Sequence, residues 1–198
     1  MRNPDRSGRC PEPAQTHGRL KPGGVWLRYS WHECIMAAHL CPCKNIIAVG
    51  GNEESLVLAK ELGATHTINR KKCDCIVSEI KKITEGGADY AIDTSGVPDF
   101  VKKALACVKF LGTAVVLGVT GELTIQVQEE LMGEGKSLIG IVEGDSNPKL
   151  FIPQLISYYK QGKFPFDKLI RVFEFDEINE AFEASHSGKA IKALLKMR

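Results

Sequence analysis

The chain predicts an α/β protein built on a doubly wound parallel sheet, and three observations predict it. Short apolar, branched runs of strand length alternate with helical stripes. The joints between them are a few residues long and carry Asn or Gly. The strand–helix–strand order is the repeating unit of a parallel sheet, because parallel neighbours can only be joined by a crossover.

Residues 45–69, NIIAVGGNEESLVLAKELGATHTIN, hold the clearest unit. The run from Asn45 to Val49 is apolar and branched, as a strand buried on both faces must be. Asn52 is placed to cap a helix, and Glu53 and Glu54 sit in its positive first turn. Leu56, Ala59 and Leu62 recur at helical spacing, and Gly63 supplies the left-handed exit. The next strand begins at Thr65 and runs to Ile68. A second amphipathic helix follows, with Ile76, Ile80 and Ile83 on one face.

The wording of this unit, an IIAV strand followed by a helix ending LAKELGATH, resembles the cofactor domain of the zinc-containing alcohol dehydrogenases of the medium-chain dehydrogenase family. The aryl- and benzyl-alcohol branch is the nearest in wording. The resemblance runs in order over residues 35–197. GGADYAIDTSGVP looks like the family's fourth strand and its loop, GTAVVLGV like the fifth, and GKSLIGIVEGDSNP like the sixth and its exit. FIPQLISYYKQGKFPFDKLI and FEFDEINEAFEASHSGKAIKALLKM look like the C-terminal segment. The implied fold is a Rossmann-type doubly wound sheet with a C-terminal remnant of the catalytic domain. Residues 35–143 then form the NAD(P)-binding domain, and residues 144–198 the segment that in the family returns to the catalytic domain. Phe173, Phe175, Ile178, Phe182, Ile191, Leu194 and Leu195 are expected to lack their natural cover.

An intact member of the family is roughly twice as long as this chain and places a zinc-binding catalytic domain first. Neither a Gly-His-Glu setting nor a four-cysteine zinc lobe is present in this sequence. His32-Glu33 lacks the flanking glycine. The expectation is a truncated family member without catalytic or metal-binding residues. Its intact relatives oxidise aryl alcohols to aldehydes with NAD(P) and zinc; zinc is not expected here.

Residues 1–34 match neither strand alternation nor a helical stripe. Where the family has a first strand and a glycine fingerprint, the chain reads GGVWLRYSWHEC. The genetic code offers an account. Trp26 followed by Leu27, and Trp31 followed by His32, both force a glycine codon one base later. Arg28 followed by Tyr29 permits one. The three positions are spaced G-x-G-x-x-G. The shifted frame also permits the family's linking helix and first strand upstream. Residues 1–34 are therefore read as an out-of-frame segment, with the native frame resuming near residues 34–35. The expected consequence is a poorly formed first strand at the centre of the sheet, and bulky side chains where backbone must approach a pyrophosphate.

The resemblance also implies the remaining contacts to NAD or NADP. Gly50 ends the second strand where NAD-preferring relatives carry an Asp for the ribose hydroxyls. It reads equally as a plain turn glycine. Gly51, Asn52 and the two glutamates after them offer no basic group, so no strong preference between NAD and NADP is expected. Thr94, Ser95, Gly96 and Val97 fall where the family's loop passes the adenosine half. Leu117, Gly118, Val119 and Ile141 fall where main chain meets nicotinamide. Lys192 falls where relatives reach the pyrophosphate, and it reads equally as a solvated surface charge.

Twenty-six Lys and Arg against 24 Asp and Glu leave no global field for nucleic acid or an anionic membrane. No signal-peptide core is visible, and a cytoplasmic location follows by default. The seven cysteines are odd in number and lack a secretory context, so disulfides are not favoured. Cys41-Pro-Cys43 and Cys73-Asp-Cys75 are spaced too closely for zinc knuckles and read as surface thiols. The expected partners are the dinucleotide and a second copy of the chain, paired through the edge strand at residues 136–142. A stand-alone dinucleotide-binding module and a non-catalytic dimerisation fragment are the alternative readings.

Overall fold

The structure is a computed structural model and describes residues 23–27 and 31–197. Six strands make one sheet: β1 (Gly23–Leu27), β2 (Asn45–Gly50), β3 (His66–Asn69), β4 (Ala88–Asp93), β5 (Val108–Val116) and β6 (Ser137–Gly140). Their spatial order is β3-β2-β1-β4-β5-β6, and every pairing is parallel. The chain winds outward from β1 to β3, then crosses to the other side of β1 at β4. That reversal leaves a crevice at the carboxyl ends of β1 and β4.

The crossovers are α1 (Trp31–Leu40), α2 (Glu53–Glu61), α3 (Ile76–Ile83) and α4 (Pro98–Cys107). Asn52 caps α2 through Oδ1, which accepts the Glu54 amide at 2.8 Å. Leu56 and Ala59 turn inward from it. Ile76 and Ile80 do the same for α3, and Val101, Ala104 and Leu105 for α4, which begins at Pro98. Strand alternation divides the core into two layers. Ile46 and Ala48 join Ile35, Met36 and Leu56 beneath α1 and α2. Ile47 and Val49 join Ile76, Ile80 and Leu105 beneath α3 and α4.

β1 corrects an expectation. It is fully formed at the centre of the sheet, registered on β2 from Gly23↔Asn45 to Leu27↔Val49 and on β4 from Gly24↔Tyr90 to Leu27↔Asp93. Ladder bonds use backbone amides and carbonyls, so two flanking strands can hold a central strand whatever its side chains. The rest of residues 1–34 up to Ser30, including the proposed out-of-frame start and Arg28, lies outside the described residues.

After β6 come α5 (Pro148–Lys160), β7 (Ile170–Glu174), α6 (Ile178–His186) and β8 (Lys192–Lys196). β7 and β8 pair in parallel as a separate two-stranded sheet. Phe164 and Leu169 are buried in the cluster that holds Ile35 and Leu56, and Ile191 packs against it. Phe173 is buried with Ala181, Ala184 and Ala190, and Leu195 packs against them. The expected loss of cover therefore falls on part of the segment: Phe175, Phe182 and Leu194 are exposed, whereas Phe173 has found a small core of its own. Among the described residues, no helix is long and apolar enough to cross a membrane.

Candidate functional site at the carboxyl ends of the strands

The strand order brings three of the expected loops together. Asp93, the last residue of β4, is fully buried. Its Oδ1 accepts the Ser95 hydroxyl at 2.6 Å and its Oδ2 accepts the Gly96 amide at 3.1 Å. Its carbonyl accepts the Leu117 amide at 2.8 Å, which ties the exit of β4 to the exit of β5. Gly96 has φ +68, and a Cβ there would lie 2.3 Å from the Val119 carbonyl oxygen; one on Gly118 would lie 2.2 Å from the Gly96 nitrogen. Only glycine allows these two loops to touch. Val97 begins α4 as its N-cap residue, and Ile141 donates its amide to Val116 at 3.2 Å just beyond β6. Thr94, Ser95, Gly96, Val97, Leu117, Gly118, Val119 and Ile141 thus all sit at one end of the sheet.

Gly50, Gly51 and Asn52 sit at the same end, between β2 and α2. They border a cavity of about 390 Å³ whose other walls are the start of α1, the end of β3 and the last turn of α6. Here the structure corrects the expectation that the specificity turn has no basic neighbour. Arg70 lies against Gly51: a Cβ on Gly51 would be 2.9 Å from Arg70 Nε. Lys71 lines the same cavity. The signal was in the parallel register, where Gly50 pairs with Asn69, so the residue after β3 must stand beside the turn after β2. Arg70 also donates its amide to the Gly50 carbonyl at 2.8 Å.

The start of α1 is filled by side chains. Trp31 is 5% exposed and stacks on His32, with ring centroids 4.1 Å apart. Trp31 Cζ2 would stand 3.5 Å from a Cβ on Gly50, so the indole fills the space between the two turns. His32 Nε2 lies 3.3 Å from the Ser55 carbonyl, while its buried Nδ1 has no partner. Burial pushes the His32 pKa down, against a smaller upward pull from the Ser55 carbonyl and Glu33. The Lys192 ammonium lies 3.2 Å from the Glu33 carboxylate at the start of this helix. His32-Glu33 is a buried histidine beside an ion-paired glutamate.

Among the described residues no three His, Cys, Asp or Glu side chains are grouped to hold a metal ion. Cys41 and Cys75 are exposed; Cys43 and Cys73 are half-buried. Burial pushes the Cys34 and Cys107 thiols up to about 12. Cys75 moves the other way, because the Ser78 hydroxyl donates to its sulfur at 3.1 Å.

A doubly wound parallel sheet with close-packed glycine loops at its carboxyl ends defines the Rossmann-like cofactor-binding class. Residues 32–157 match the family model described as zinc-binding dehydrogenase. The chain is 34% identical over 185 residues to a geraniol dehydrogenase of Castellaniella defragrans, covering 92% of this chain and 48% of that protein. Two solved structures agree with this fold. One is an alcohol dehydrogenase zinc-binding domain protein of Burkholderia ambifaria, with TM-score 0.86, 36% identity, and coverage of 91% of this chain and 50% of that one. The other is benzyl alcohol dehydrogenase of Acinetobacter calcoaceticus, with TM-score 0.85, 38% identity, and coverage of 90% and 50%. The chain belongs to the zinc-binding dehydrogenase family, and it spans about half the length of the relatives it matches.

Proposed function

We propose that this chain is a cofactor-binding half of a zinc-dependent alcohol dehydrogenase that receives nicotinamide dinucleotide weakly and oxidises no alcohol by itself. The observation that carries the reading is the convergence of Asp93, Gly96 and Gly118 at the crevice. Backbone is packed there with no room for side chains, as a fold that brings main chain against a dinucleotide requires. In this reading Thr94–Val97 pass the adenosine half, while Leu117–Val119 and Ile141 meet the nicotinamide. The residues at the start of α1 fit a pyrophosphate poorly. Trp31 fills the approach, and the Glu33 carboxylate sits in the first helical turn, where a phosphate would gain from the helix dipole.

In zinc-dependent enzymes the metal polarises the alcohol oxygen while the cofactor accepts the hydride. No described residue of this chain is assigned to the metal step. Geraniol and benzyl alcohol, the alcohols in the names of its relatives, are the substrates to test. Titration of the purified chain with NADH and NADPH, beside an oxidation assay with added zinc, tests the reading. Binding weaker than micromolar and no turnover are expected. Zinc-dependent turnover by this chain alone, or a micromolar Kd, would overturn it.

A second reading rests on β6. It is an edge of the sheet, and Ile139 and Val142 on and beyond it are 42% and 76% exposed. An open apolar edge is a template for pairing with a second copy. Light scattering after size exclusion should show a dimer; a monomer at high concentration refutes this assignment.

A further inference from the structure

The cavity beside Gly50 has a charge pattern that the crevice reading does not use. Arg70 and Lys71 line it, and no Asp or Glu does. Glu53, in the first turn of α2, does not line it, and its carboxylate is held by Asn69 Nδ2 at 2.6 Å and Lys72 Nζ at 2.6 Å. Arg70 has no carboxylate in any ion pair among the described residues; its guanidinium lies 5.5 Å from the Phe100 ring centroid. A planar fork of donors without an acidic partner, beside a turn with no side chains, is built for a phosphate rather than for ribose hydroxyls.

We propose that Arg70, with Lys71, makes this cavity a recognition site for the 2′-phosphate of an adenosine, so that the chain prefers NADP to NAD. The inference rests on the cofactor-binding reading above and sharpens it. In this fold class the ribose 2′ position lies at the end of the second strand, which here is Gly50. Gly50 presents no carboxylate to repel the phosphate. Gly51 leaves the guanidinium room to lie flat on the turn. Arg70 and Lys71 stand together at the end of β3, and the phosphate belongs on that wall. This site also works without the pyrophosphate approach that Trp31 fills.

The test uses the full chain and small probes: 2′-AMP, 5′-AMP and inorganic phosphate, followed by NMR titration of backbone amides. The expected result is binding of 2′-AMP about tenfold tighter than 5′-AMP, one charge-assisted hydrogen bond's worth, with the Gly51 and Arg70 amides shifting. Arg70→Ala should abolish that preference, and Lys71→Ala should reduce it. Arg70 sits on an open strand end, and the urea midpoint of each variant checks that the fold is intact. Equal affinity for 2′-AMP and 5′-AMP would overturn this inference and leave the cofactor reading standing. Inorganic phosphate binding as tightly as 2′-AMP would make this a bare anion site and also overturn it. If neither nucleotide nor NADH nor NADPH binds, both readings fall.

Discussion

β1–α1 and β2–α2 are neighbouring strand–turn–helix units of one sheet, and they differ in what the turn does. After β2 the chain runs through Gly50 and Gly51, caps its helix with Asn52 and leaves an open basic cavity. After β1 the helix begins with Trp31 and His32 buried where the other unit is open. Yet both helices sink their apolar stripes into the same cluster, Ile35 and Met36 from one, Leu56 and Ala59 from the other. The packing of an α/β unit is set by its strand ladder and helix stripe, and its ligand chemistry by a few turn residues. The first can outlast the loss of the second.

The largest test asks whether α1 packs as firmly as α2. Ile35 is fully buried and Leu56 is 4% exposed. Ile35→Ala and Leu56→Ala should each cost about 2–5 kcal/mol in urea unfolding, the transfer plus cavity cost of a large apolar core residue. A loss well under that range for Ile35→Ala alone would make α1 an appendage and break the comparison.

The next test moves from packing to binding. Replacing residues 1–34 by a shifted-frame sequence chosen with glycine at positions 26, 28 and 31 should open the start of α1. Affinity for NADPH should rise roughly tenfold to a hundredfold, the worth of one charge-assisted hydrogen bond of about 1.5–3 kcal/mol at the helix start. Calorimetry reads the change. Unaltered affinity would mean that the turn after β1 does not limit binding.

What the sequence told in advance follows the same division. Apolar periodicity located β2, α2 and α3 closely, because burial imposes it residue by residue. Asn52 was legible as a cap from its chemistry and place. β1 was expected to fail on its side chains, but its fate was decided by the ladders of β2 and β4. Arg70 was missed for a related reason. It is twenty places from Gly50 in the chain, and only strand pairing makes them neighbours. Phe173 was expected to be uncovered, since Ala181, Ala184 and Ala190 do not announce a core until α6 folds over β7.

A smaller effect separates the two turns by pH. His32 is 2% exposed and its folded pKa is lowered by burial. The unfolded chain therefore binds a proton more readily than the folded one. Stability is complete above the unfolded value of about 6.5 and falls as pH drops below it toward the lowered folded value. The slope is at most about 1.4 kcal/mol per pH unit. His32→Leu should flatten the dependence of the urea midpoint on pH below about 6.5 relative to the parent chain. An equal slope in both proteins would place the titrating group elsewhere.

The smallest prediction returns to the intact turn. Asn52 Oδ1 accepts the Glu54 amide at 2.8 Å and the Ser55 amide at 3.5 Å, so it satisfies donors that the first turn of α2 otherwise leaves to water. Asn52→Ala should cost about 1 kcal/mol. Asn52→Asp should recover that loss, since a carboxylate accepts the same amides and gains from the helix dipole. The two variants should part company in binding. Asn52 also lines the Arg70 cavity, so the Asp variant adds the negative charge that the cavity lacks. It should weaken 2′-AMP while holding stability, whereas the Ala variant should lose stability and largely keep the nucleotide. If Asp weakens neither nucleotide nor fold, residue 52 is a cap that does not face the phosphate, and the division between packing and ligand chemistry runs between Asn52 and Gly51.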